Sequence, residues 1–265
     1  MTKTKLSRGS KILLLVTGAL LLMVLWSLLV VSPERAKQLD AALPQPPRLW
    51  SAAPPPQPAG IAGYALDLLQ DRESGAVTPL SLPTLAALPS SDGEALLLRL
   101  LPNQAPSAAP QRDAQFLAAW LAELPGQPAV FLAYDWPLLE ALGQRLPELI
   151  LAFGSLERTL QRQAATPSPW LGGRDLSAVE GSVPALVVAA GGSLWAPSLS
   201  ELRPVDMEDA RAAGVAVLVS DVGDAEALPS LLLLRPAGLI TAQVAAALEA
   251  LAQSRGLYAP ASGPQ

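Results

Sequence analysis

Residues 210–243 read ARAAGVAVLVSDVGDAEALPSLLLLRPAGLITAQ. The small residues at 210–213 suit a helix, and the β-branched run GVAVLVS (214–220) suits a strand buried on both faces. A short loop, a second helix and a second strand, AGLIT (237–241), follow. Such alternation is the unit of a parallel α/β sheet. In an α/β barrel the reactive groups sit just past each strand. Here those places hold Ser220, Asp221, Thr241 and Ala242. The frame is that of a catalytic barrel, yet its mouth carries little chemistry.

The same rhythm runs upstream. Strands are expected at GYALDLL (63–69), ALLLRLL (95–101), PAVFLAY (128–134), LILAFG (149–154) and PALVVAA (184–190), with PRLWSAA (47–53) as an eighth. Helices are expected at LPTLAAL (82–88), AQFLAAWLAEL (114–124), WPLLEALGQRL (136–146), LSELRPVDMEDARAAG (199–214) and TAQVAAALEALAQS (241–254). Eight such units close a (β/α)8 TIM-like barrel, and an open doubly wound sheet is the rival. Only Pro54–Gly60 separates the first two strands, so the barrel is expected to be incomplete in its first unit.

The 265 residues hold no Cys and no His, and no Lys follows Lys37. Thiol nucleophiles, imidazole bases, the usual zinc ligands and Ser–Lys arrangements are therefore excluded from the domain. A bound metal would need oxygen ligands, which favours Mg²⁺ or Ca²⁺.

Residues 11–31, KILLLVTGALLLMVLWSLLVV, have the length and apolarity of a transmembrane helix. Lys3, Lys5, Arg8 and Lys11 precede its apolar core, which sets the N-terminus in the cytoplasm and the rest on the periplasmic or extracellular side. Removing these four from the 18 basic residues leaves 14 against 23 acids. An acidic body of this kind repels nucleic acid. The expected organisation is a basic segment at 1–10, the membrane helix at 11–31, a Pro/Ala-rich linker at 32–60, the barrel at 61–255 and a tail at 256–265.

Three stretches carry a resemblance to the glycerophosphodiester phosphodiesterase family, a TIM-like barrel. They are GIAGYALDLLQDRESGAV (60–77), YDWPLLEALGQRLPELILAF (134–153) and MEDARAAGVAVLVSDVGDAEALPSLLLLRPAGLIT (207–241). The resemblance implies hydrolysis of lipid-derived phosphodiesters by acid/base groups and a divalent metal. Its functional positions are mostly substituted. The first strand's His-Arg-Gly is Ser51-Ala52-Ala53, and the Glu-x-Asp metal pair is Ala65-Leu66-Asp67. The third strand's Glu-x-Lys becomes Arg99-Leu100-Leu101, the seventh strand's Trp falls at Ser220, and the terminal Thr-Asp is Thr241-Ala242. Asp67 alone is a poor Mg²⁺ or Ca²⁺ site, because these ions want several carboxylates.

The candidate pocket residues are Asp67, Arg99, Tyr134, Asp135, Trp195, Ser220, Asp221 and Thr241. Each has a plainer reading beside the functional one. Arg99, in an apolar strand, would grip an anion at the mouth, pair with Asp67 or lie at an exposed strand end. Asp135 would line the pocket or cap the helix that begins at Trp136-Pro137, and Asp224 would cap the helix at 225–232. Gly191-Gly192-Ser193 lacks any phosphate-loop pattern and reads as a loop carrying Trp195 as an apolar plug. The function expected is a membrane-anchored, catalytically inactive phosphodiesterase-like module for binding or scaffolding. It would need no cofactor, and its partner would be another membrane or periplasmic protein, or a phosphorylated or lipid-derived ligand. Two alternatives stay open: an active Mg²⁺- or Ca²⁺-dependent hydrolase using Asp67, and a structural subunit of a membrane complex.

Overall fold

The computed structural model describes residues 48–52, 61–80, 95–103, 105–124, 130–155 and 168–254. The expected membrane helix, the helix at 82–88, the tail and most of the linker lie outside the described residues. Among the described residues no helix is long and apolar enough to cross a membrane.

Nine strands form one sheet: β1 (Arg48–Ser51), β2 (Gly63–Gln70), β3 (Val77–Pro79), β4 (Ala95–Leu100), β5 (Val130–Ala133), β6 (Leu151–Ser155), β7 (Leu194–Pro197), β8 (Ala216–Val222) and β9 (Gly238–Thr241). Their order is β1-β9-β8-β7-β6-β5-β4-β2-β3, and β1 also pairs with β2. That last pairing, Trp50 with Gly63 and Ser51 with Tyr64, closes eight parallel strands into a barrel. The open sheet is thereby excluded. β3 is an antiparallel hairpin partner of β2 outside the ring, and it had no counterpart in the sequence reading.

Helices α1 (Pro110–Ala122), α2 (Trp136–Arg145), α3 (Val183–Ala189), α4 (Pro204–Ala212), α5 (Leu228–Leu233) and α6 (Val244–Gln253) alternate with the strands. Period-2 alternation sorts the strand side chains. Trp50, Ala65, Leu97, Val130, Leu132, Ala152, Leu194, Ala196, Leu218 and Ile240 form one buried cluster inside the ring. Leu49, Leu66, Leu68, Leu98, Phe131, Phe153, Val219 and Leu239, from the same strands, join the helices in a second cluster. The interior is a packed core, and each large apolar side chain in it contributes roughly 1.5–3 kcal/mol by burial.

Two expectations are corrected. PALVVAA is not a strand: Ser182 caps a helix with Pro184 in its first turn, and Val183, Leu186 and Val187 are buried at helical spacing. The strand lies further on at Leu194–Pro197, so the count of eight survived while the element changed. A short continuous apolar run has no period with which to separate the two readings. The first strand lies inside the stretch assigned to the linker, so the barrel begins at Arg48 rather than at residue 61. β1 pairs on both sides, while the stretch Pro54–Gly60, on which the expectation of an incomplete first unit rests, lies outside the described residues. Smaller shifts follow from proline: α1 starts at Pro110, and the helix in 199–214 starts at Pro204 after a short 3-10 turn.

The seam is held by a glycine. A Cβ on Gly63 would land on the carbonyl oxygen of Ala95 in the neighbouring strand, so only glycine fits between β1 and β4. Gly63→Ala is expected to destabilise the barrel by about 3 kcal/mol or more, the upper range of overpacking. Equilibrium denaturation reads this directly, and a loss under about 1 kcal/mol would show that the seam yields.

Candidate functional site

β2 and β4 run parallel in a register that sets Asp67 beside Arg99. Both have the parity of the interior residues Ala65 and Leu97, so both side chains turn into the barrel near the strands' C-terminal ends. The Arg99 guanidinium meets Asp67 as a fork, Nε to Oδ1 at 2.6 Å and Nη2 to Oδ2 at 2.9 Å. Its Nη1 donates to Oδ1 of Asp221 at 2.5 Å. Bidentate arginine–carboxylate pairs are the strong geometry for such contacts. The Arg99 side chain is 10% exposed, against 27% for Asp67 and 48% for Asp221. The cation is thus sunk in the mouth while its two anions reach solvent.

Asp221 reaches this position through a backbone irregularity. Val219 and Val222 both pack outward, and the β8–β9 register shifts between them. The two residues between face the mouth, and Asp221 has φ 56°. Asp tolerates this left-handed conformation better than most residues. Ser220, fully buried, donates from Oγ to the Pro197 carbonyl at 3.1 Å and lies 3.3 Å from Oδ2 of Asp221.

Tyr134 follows β5 and folds its ring over Gly154, where a Cβ would sit 2.7 Å from the ring. Burial pushes its hydroxyl up to about 12. Asp221 and Asp67 push the same way, while Arg99 and a hydrogen bond with Ser220 oppose it. Arg99 itself is held above its ordinary value. Burial works to lower it, but the Asp67 hydrogen bonds and the charges of Asp221 and Asp67 outweigh that cost. The mouth therefore holds one fixed cation and, near neutral pH, a protonated phenol.

Five of the eight expected pocket residues converge here: Asp67, Arg99, Tyr134, Ser220 and Asp221. The other three do not. Trp195 lies on β7, faces the helix layer and donates from Nε1 to Ser155 Oγ at 2.9 Å. It is no plug, because its parity on β7 is opposite to that of the inward Leu194 and Ala196. Thr241 has the outward parity of Leu239. Its hydroxyl donates to the Val222 carbonyl and accepts from the Gln243 amide, which secures the end of β9. Asp135 caps α2 by accepting from the Leu138 amide at 3.3 Å, pairs with Arg72 at 3.1 Å and also accepts from the Ser107 amide. Burial raises its pKa, although those bonds pull it back down. Asp224 accepts from the Glu226 amide and holds a turn ahead of α5 rather than capping the helix.

Two polar networks outside the mouth were not foreseen. Ser107 joins Asp135 to the buried Asp113, with its Oγ 2.6 Å from Asp113 Oδ2. Ser155 bridges Trp195 Nε1 to Glu201 Oε2, the latter at 3.0 Å. No motif marks either, since each joins residues on separate elements.

The fold has known counterparts. A putative glycerophosphoryl diester phosphodiesterase from Silicibacter pomeroyi superposes with TM-score 0.60 at 16% identity, over 82% of this chain and 98% of that one. A glycerophosphodiester phosphodiesterase from Parabacteroides distasonis gives 0.53 at 11%, over 79% and 98%. A phosphodiesterase from Oleispira antarctica, solved in complex with the product sn-glycerol-3-phosphate, gives 0.53 at 13%, over 78% and 97%. The barrel has the fold of the glycerophosphodiester phosphodiesterases. At these identities the likeness is one of fold. No family model matches the chain, and no curated protein does.

The family resemblance implies a divalent metal held by carboxylates, and among the described residues those at the mouth do not fit one. Both oxygens of Asp67 and Oδ1 of Asp221 already accept from Arg99. A dication on these oxygens would sit against a guanidinium of the same sign. Among the described residues, no three acids converge elsewhere.

The Tyr134 shift has a measurable consequence. Its folded value is raised from 10.0 to about 12, so its contribution to stability is complete below pH 10. That contribution is lost as pH rises from 10 towards 12. Tyrosinate absorbance should show a late step that Tyr134→Phe removes, and the mutant's stability should fall less steeply over that range. A Tyr134 that ionises at its ordinary value would mean that the phenol is not buried as described.

Proposed function

We propose that this chain is a membrane-anchored, catalytically inactive glycerophosphodiester phosphodiesterase-like barrel that serves as a binding or scaffolding module on the non-cytoplasmic side. The observation that supports this most directly is the pairing of Arg99 within the chain, to Asp67 and Asp221. Phosphodiester hydrolysis needs a group that gives or takes a proton near neutral pH and a positive charge free to meet the phosphate. Tyr134 keeps its proton far above that range. Asp135, whose pKa burial raises, is spent outside the mouth on the α2 cap and Arg72. The cation that could meet a phosphate is already paired twice.

Asp67, Asp221 and Arg99 together carry a formal charge of −1, which disfavours a phosphorylated ligand at the mouth. A membrane or periplasmic protein is therefore the favoured partner, with the apolar run at 11–31 as anchor. The acidic body argues against nucleic acid. The mouth requires no cofactor.

The test is release of glycerol 3-phosphate from glycerophosphodiesters by the full-length protein with Mg²⁺ or Ca²⁺, beside Asp67→Ala. The expected result is no turnover above the mutant. Metal-dependent turnover that disappears in Asp67→Ala would overturn the reading in favour of a hydrolase.

A further inference from the structure

Arg99 and Asp221 stand on opposite sides of the barrel. From β4, the ring passes through β5, β6 and β7 to reach β8, and in the other direction through β2, β1 and β9. Four steps in each direction make β4 and β8 diametric in an eight-strand ring. The contact between Arg99 Nη1 and Asp221 Oδ1 therefore spans the mouth, and the fork to Asp67 anchors its near end. One positive centre lies between carboxylates from two sides of a barrel mouth. That is the electrostatic arrangement of a cation bound by acidic ligands, with the cation supplied by the chain itself.

We propose that the guanidinium of Arg99 is the resident cation of this mouth, standing permanently in place of a divalent metal and tying β2 and β4 to β8 across the barrel. Three observations carry this. The side chain is 10% exposed, so its charge requires partners where it stands. Three of its N–H groups are committed to the two carboxylates, in the planar geometry for which arginine is suited. Asp221 adopts a left-handed backbone inside a strand irregularity to bring its carboxylate there, a cost that the ion pair offsets. The mouth is consequently indifferent to divalent cations, and removing the guanidinium uncovers a latent cation site.

This deepens the proposed function but fails separately from it. Turnover without metal would sink that function and leave the resident cation intact. Metal binding at the mouth without turnover would do the reverse.

The experiment is thermal unfolding of the full-length protein in excess EDTA, Ca²⁺, Mg²⁺ or methylguanidinium. The forms compared are wild type, Arg99→Ala, Arg99→Glu and Asp67→Asn. Wild type should unfold at the same temperature with EDTA and with either metal. Arg99→Ala should unfold earlier in EDTA and recover by about 3 °C or more with Ca²⁺ or with methylguanidinium. Arg99→Glu, which adds a third carboxylate, should be the most calcium-dependent. Terbium luminescence should report an ion bound in Arg99→Glu and none at the mouth of wild type. A Ca²⁺ or Mg²⁺ shift in wild type that Asp67→Asn abolishes would overturn the proposal. Should Arg99→Glu fail to fold in every buffer, Arg99→Ala decides: recovery with either cation supports the proposal, and recovery with neither overturns it.

Discussion

An arginine placed in an apolar barrel strand imposes a condition on the rest of the mouth. Removing a guanidinium from water costs several kcal/mol, and truncating one partner of such a buried pair typically costs about 3–5 kcal/mol because a bare charge remains. Arg99 meets this condition with two carboxylates from different strands, one in parallel register beside it and one across the ring. The neighbouring features follow. Asp221 accepts an unusual backbone angle to arrive at the pair, beside Ser220, which already faces inward by regular alternation from Leu218. Tyr134 lies beside two carboxylates in a dry setting that keeps it protonated. The half-exposed acids screen part of the interaction, so its worth lies below that of a fully buried pair.

The frame itself was readable from the sequence because it rests on period and punctuation. Valine- and leucine-rich runs separated by helical stretches report a parallel sheet buried on both faces, and DWP reports a capped helix start. The Asp67–Arg99 contact was also legible, as consecutive ring strands with both residues near their C-terminal ends allow few other partners. Asp221 could be named but not aimed. Regular alternation from Leu218 turns it away from the barrel, and only the irregularity after Val219 brings it inward. Trp195 and Thr241 were misplaced for a different reason, because parity was not applied to them: a loop was assumed where β7 runs, and the end of β9 was not phased against Ile240. The misread strand at 184–190 shows the limit of composition. Val-Pro-Ala-Leu-Val-Val is as apolar as any strand here, and what decides is the cap at Ser182 and the proline behind it.

A barrel active site is ordinarily a place where the fold tolerates unsatisfied charge, strained backbone and open space, because chemistry requires them. This mouth retains the strained residue and gives it a structural task. Asp221 holds its left-handed turn for an ion pair within the chain, and Ser220 donates its proton to the Pro197 carbonyl rather than keeping it for a substrate. The polar groups that remain at the strand ends are bound to one another.

On the function proposed here, that closure also moves recognition away from the usual place. An anionic ligand entering the mouth would have to break the Arg99 fork or approach a net negative charge, and both cost free energy before any contact is made. The outer surface bears no such condition. Leu233, 63% exposed at the end of α5, and Leu80, 50% exposed beyond the β3 hairpin, leave apolar surface at positions that the barrel does not need for its own core. With Arg99 paired within the chain, the eight-strand ring is free to act as a carrier for whatever its outside presents.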